Sequence, residues 1–75
     1  MKLSEMKPVQ QGAIRKISAT GPLRRRLMDM GLTIGAQITV VRTAPLGDPV
    51  EYSVRGYDLS LRKLEADLIE VDVEG

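Results

Sequence analysis

The apolar positions change period several times along the chain, and each change marks an element. From Ala13 to Ala19, Ile14 and Ile17 fall three apart, which breaks strict alternation and predicts a strand with a bulge or strong twist. Ahead of it, Ser4 is placed to cap a brief turn before Pro8, and Gln10-Gln11-Gly12 reads as a turn. Between Gly21 and Gly31, Leu23, Leu27 and Met30 recur at i, i+4 and i+7, which predicts the one clear helix. Thr20 or Gly21 can cap it, Pro22 suits its first position, and Gly31 stands where a left-handed C-terminal cap is wanted. A helix this short is not stable alone in water, so its apolar stripe must pack on something.

After the helix the period becomes two. Ile38, Val40 and Arg42 share one face of a strand, with Thr39, Val41 and Thr43 on the other. Two prolines and a glycine make Ala44-Pro45-Leu46-Gly47-Asp48-Pro49 a rigid loop. Val50, Tyr52 and Val54 alternate with Glu51, Ser53 and Arg55 in a half-buried strand. Gly56-Tyr57-Asp58 reads as the turn into Leu59–Leu61, followed by a short helical turn over Arg62–Ala66. Ile69, Val71 and Val73 alternate with Glu70, Asp72 and Glu74 in a last strand. The chain is therefore expected to be mainly β: a small curved antiparallel sheet of about five strands. One short helix lies towards the N-terminal side and a helical turn precedes the last strand. Closure into a small barrel suits the pattern, because it removes exposed strand edges.

Composition narrows what such a domain can do. Seventy-five residues make one domain with a thin core. With no cysteine there is no disulfide, and with no histidine either, the usual ligands of zinc, copper and thiolate-bound iron are missing. The common general bases and nucleophile pairs cannot be assembled, which argues against an enzyme, and no G-x-x-x-x-G-K phosphate loop is present. Eleven basic residues against ten acidic leave no basic excess for phosphate neutralisation, and two tyrosines are too few for a base-stacking platform. No apolar stretch is long enough to span a bilayer, and the opening residues lack an apolar core of signal-peptide length, so a cytoplasmic location is expected.

What remains is candidate surface rather than candidate chemistry. Arg24, Arg25 and Arg26 could dock an acidic or phosphate-bearing partner; the plainer reading is a solvated face with Arg25 paired to Asp29. Arginines near a helix N-terminus oppose the macrodipole, which favours a functional reason for them. Pro45, Leu46, Gly47 and Asp48 could form a recognition loop, since a rigid loop loses little entropy on binding, or could simply join two strands. Tyr52 and Tyr57 read first as packing residues with wet hydroxyls, and second as walls of a groove for an extended peptide beside that loop. Glu70, Asp72 and Glu74 could attract a hard cation but fit the charged side of an edge strand better. The four methionines read as core filler, and Gly31–Gly35 as a cap and turn.

Taken in order, these motifs resemble the FeoA family. Leu23-Arg24-Arg25-Arg26-Leu27-Met28-Asp29-Met30-Gly31-Leu32 is similar to its glycine-ended helix, followed by Ile34-Gly35 and Ile38-Thr39-Val40-Val41. Ala44-Pro45-Leu46-Gly47-Asp48-Pro49-Val50 is similar to its proline-rich loop. Leu59-Ser60-Leu61-Arg62-Lys63-Leu64-Glu65-Ala66 resembles its leucine-arginine-lysine segment, and Ile69–Val71 its closing strand. Met28 and Met30 stand where leucine is more typical, a conservative difference. The resemblance covers Leu3 to Val73 and implies an SH3-like barrel with a cytoplasmic accessory role in bacterial ferrous-iron uptake. The implied partner is the cytosolic region of FeoB, a membrane permease with a GTP-binding domain. No cofactor and no nucleic acid are expected, the membrane is reached only through the partner, and homo-oligomers are possible. The alternative is an SH3-like domain that is nucleic-acid-associated or part of an iron-dependent regulator. A similar domain closes some iron-dependent repressors, but no helix-turn-helix region fits in these residues, and a free-standing version is expected.

Overall fold

The computed structural model describes residues 1–73. After a 3-10 turn (Leu3–Glu5) come β1 (Gln11–Ile17), α1 (Gly21–Asp29), β2 (Gln37–Thr43), β3 (Val50–Val54), β4 (Tyr57–Leu61), α2 (Lys63–Ala66) and β5 (Ile69–Val73). The strands form one antiparallel sheet in the order β4-β3-β2-β1-β5. Two bulges bend it, one in β1 between Ile14 and Lys16 and one in β2 between Val40 and Arg42. An extra residue on one strand raises the local twist, so the sheet curls round its own buried face. The first bulge is the one that the Ile14–Ile17 spacing predicts. The second moves Arg42 off the face of Ile38 and Val40: those two are buried, whereas Val41, Arg42 and Thr43 are exposed.

The sheet is SH3-like, but its edges are not joined: no ladder connects β4 to β5 among the described residues. At the β5 edge the opening residues of the chain stand in for a strand. The Val71 amide donates to the Met1 carbonyl at 2.8 Å, and Lys2 bridges Glu70. Gln10-Gln11-Gly12 is not a turn. Gln11 and Gly12 already belong to β1, and the reason for the glycine is proximity: a Cβ there would lie 2.7 Å from the carbonyl oxygen of Asp72. The strand then ends at Ile17 rather than Ala19. The turn after β3 is Arg55-Gly56, both at positive φ as a tight hairpin requires, which leaves Tyr57 and Asp58 in β4.

Helix α1 stops where the glycine predicts. Gly31 sits at φ 93°, its amide donates to the Met28 carbonyl at 3.0 Å, and the Leu32 amide donates to the Leu27 carbonyl at 3.1 Å. This paired bonding satisfies the last carbonyls and folds Leu32 back towards Leu27, both fully buried. Thr20 holds the N-cap position without a side-chain bond. Leu23 and Met30 complete the stripe from partly buried positions. Leu27 and Leu32 share one continuous core with Leu3, Ile14, Ile38, Val40, Tyr52, Val54, Leu61, Ala66, Ile69 and Val71. No charged or polar residue is buried among them. Ser4 does not cap the first turn, whose N-cap is Lys2; its hydroxyl donates instead to Asp67, tying that turn to the end of α2.

Replacing Gly12 by alanine should cost about 1–3 kcal/mol, because the new methyl must displace backbone rather than a mobile side chain. Urea unfolding of Gly12→Ala measures this; an unchanged midpoint would mean that β1 and β5 are not so closely apposed.

Candidate functional site

The three arginines of α1 divide into two that hold the fold and one that does not. Arg24 Nη1 donates to the carbonyl of Ile17 at 2.8 Å, fastening α1 to the end of β1. Arg26 pairs with Glu65 of α2. Arg25 has no ion-pair partner among the described residues, so the expected pair with Asp29 is not formed. Arg24, Arg25, Met28, Asp29 and Gly21 line a shallow groove of about 470 Å³. Met28 is exposed in it rather than filling the core, unlike Met6, which is buried.

The loop between β2 and β3 is held by its own backbone. The Ala44 amide donates to the Pro49 carbonyl at 3.0 Å and the Gly47 amide to the Ala44 carbonyl at 2.7 Å, with Gly47 at φ 90°. Pro45 and Pro49 line an open groove of about 530 Å³ together with Arg42, Glu51 and Ser60. Within it Arg42 Nε donates to Glu51 Oε1 at 2.7 Å. Asp48 is exposed and accepts the Lys63 amide at 2.9 Å, satisfying an otherwise open donor at the start of α2. Leu46 at the tip is 97% exposed. A leucine held outward on a doubly bonded loop gains nothing for the fold, and that is the condition under which an apolar contact to another molecule becomes favourable.

Of the two tyrosines only Tyr52 lies near this loop, with Asp48 close to its phenol, and it is buried there. Tyr52 is only 1% exposed and belongs to the core, so it cannot touch a partner; alternation placed it on the inward face of β3, and the curvature of the sheet closed over its ring. Tyr57 is 44% exposed but stands at the far end of the β3–β4 hairpin, opposite Val54, whereas the loop adjoins the Val50–Leu61 end. There its hydroxyl crowds Gly31, where a Cβ would come within 2.6 Å of it. Arg55 reaches the same place, donating to the Gly31 carbonyl at 3.2 Å and to Thr33 Oγ1 at 2.6 Å. Tyr57 thus helps hold the end of α1.

What the structure does bring together is α1, α2 and the β2–β3 loop. Arg26–Glu65 joins the first two and Lys63–Asp48 the last two. Leu64 lies in the middle element and is 77% exposed, a residue the sequence reading left inside a motif without a role. Its signal was there: a single helical turn that buries Ala66 must leave the opposite position outward. The exposed apolar residues of these three linked elements are Leu46, Leu64 and Met28, and Arg25 of α1 has no ion-pair partner among the described residues. On the β5 edge Glu70 and Asp72 are both engaged by Arg15, at 3.4 and 3.5 Å. The terminal amine hydrogen-bonds Glu70 and, with Arg15, holds its carboxyl below the ordinary range. Glu74 lies outside the described residues.

Comparison with known proteins gives these residues their context. The FeoA domain model matches residues 1–73. A fusion of Fe(2+) transport protein A with the Fe(2+) transporter FeoB from Porphyromonas gingivalis is 42% identical over 73 residues. The match takes in 97% of this chain but only 9% of that protein. The solution structure of FeoA from Chlorobium tepidum is 44% identical, with a TM-score of 0.93 over 100% of this chain and 71% of that one. FeoA from Stenotrophomonas maltophilia, a zinc complex described as a prokaryotic SH3 domain protein, is 28% identical, with a TM-score of 0.84 over 96% and 89% of the two chains.

Burial, and then the nearby carboxylates Asp48 and Asp67, push the Tyr52 phenol from 10.0 up to about 12. A raised value in the folded state means that the neutral phenol stabilises the fold fully below pH 10 and that this is lost as pH rises towards 12. Relative to Tyr52→Phe, the natural chain should lose about 2–3 kcal/mol across that window. Unfolding midpoints of both proteins between neutral and strongly alkaline pH check this; parallel curves would place the hydroxyl in water.

Proposed function

Because the chain belongs to the FeoA domain family, we propose that it is a cytoplasmic accessory domain of bacterial ferrous-iron uptake that acts by binding the cytosolic region of a FeoB-type permease. The observation that carries this is the Porphyromonas gingivalis fusion, in which a segment 42% identical to nearly all of this chain shares one polypeptide with FeoB. Fusion raises effective concentration, and it favours modules that work against each other's surfaces. The spare side chains fit a binding module better than a catalyst. Leu46 and Leu64 offer apolar contact at little entropic cost, and Arg25 offers a cation not consumed by the fold. The other two arginines of the run are occupied internally, which weakens the case for a nucleic-acid surface.

On this reading the complementary surface of the permease is apolar with an acidic group near the Arg25 contact. Isotope-labelled domain titrated with the cytosolic region of FeoB should show amide shifts concentrated at Leu46, Leu64 and the Arg25–Met28 face. The double variant Leu46→Asp, Leu64→Asp should bind at least about 10-fold more weakly while keeping its fold, since both side chains are already in water. Absence of binding by the natural domain, together with unchanged Fe(II) uptake in cells carrying the double variant, would overturn the proposal.

A further inference from the structure

The outer edge of β4 is an unpaired strand whose one charge is Asp58, and we propose that it pairs with the β4 edge of a second copy of this chain. The hairpin turn Arg55-Gly56 makes Val54–Tyr57 the closing hydrogen-bonded pair, so Tyr52–Leu59 and Val50–Leu61 are hydrogen-bonded as well. The amides and carbonyls of Asp58 and Ser60 therefore point away from β3. They meet no described residue, and both residues are exposed. The opposite sheet edge is covered by Met1 and Lys2 and carries the Arg15 ion pairs. β4 has no proline, no lysine, no bulge and no covering strand.

The strand is also complementary to itself. In an antiparallel pair with the two-fold axis at Leu59, Asp58 of one copy faces Ser60 of the other. Each such pair exchanges both of its hydrogen bonds, and no carboxylate directly opposes another. The half-buried Leu59 meets its own counterpart, and Tyr57, still 44% exposed in the single chain, comes opposite Leu61. The edge adjoins the β2–β3 loop at Ser60, which shares a groove with Pro45 and Pro49, but the pairing uses none of Leu46, Leu64 and Arg25 and so does not depend on the proposed permease contact.

Ser60→Pro is the diagnostic substitution. It removes an amide that points outward, so the β3–β4 ladder keeps its bonds while the outer edge loses a donor. Sedimentation and NMR diffusion from about 10 μM to about 1 mM should show a weak monomer–dimer equilibrium in the natural chain. Ser60→Pro should be folded and monomeric throughout, with the dimer weakened at least about 10-fold. In a chain without cysteine, Leu59→Cys should form an intermolecular disulfide on mild oxidation, because non-hydrogen-bonded partners lie about 4.5 Å apart at Cα, within the span of a disulfide. Thr39→Cys, on the outer face of β2 between two paired strands, should not. A natural chain that stays monomeric to about 1 mM, or a dimer that persists in folded Ser60→Pro, would overturn the proposal.

Discussion

A sheet of five short strands has one face to bury, and in a chain without cysteine no cross-link can hold that face shut. The fold depends on bending the sheet until its own strands, with α1 across the open end, enclose the side chains of that face. The bulges in β1 and β2 supply the bend, and the absence of a side chain at Gly12 lets β1 and β5 close to within contact of each other's backbone. Once curved, the sheet accepts Leu27 and Leu32, which the glycine cap at Gly31 aims inward together. Remove the curvature and the apolar stripe of α1 has nothing concave to fill.

The same economy explains which polar groups are committed. In a domain this small the helices are too short to stand on their own bonding, so side chains from elsewhere satisfy their ends. Arg24 fastens α1 to β1, Asp48 caps α2 from a distant loop, Ser4 binds Asp67 after α2, and Arg55 takes the carbonyl of Gly31. Among the groups left over after these duties, Met28 and Arg25 lie on α1, Leu64 on α2 and Leu46 on the β2–β3 loop, while Val9 and Ile34 are exposed elsewhere. Surplus, rather than any constellation of reactive groups, is the ground on which a partner contact is proposed on those three elements.

Much of this was legible in the chain. The i, i+4, i+7 stripe and the glycine after it located α1 and its end, because local sterics decide both. The Ile14–Ile17 spacing announced a bulge, since an extra residue shifts the inward phase by one. The order of motifs identified the family, and the FeoA domain match over residues 1–73 agrees with it. Less visible were contacts between segments far apart in sequence. Nothing local distinguishes Arg24 and Arg26, which serve the fold, from Arg25, which does not. Nor does Gly12 differ locally from a turn glycine; the carbonyl it must avoid belongs to Asp72.

Sequence alone thus determined most element types and the family, because these follow from residue identity, motif order and short-range period. Tertiary structure decided which of two similar tyrosines is core and which is surface, and which arginine is spare. It also decided that Leu46 and Leu64, distant in sequence, belong to one row of elements. Those outcomes depend on strand register and on sheet curvature. Both are collective results of packing, and no single segment carries the information for either.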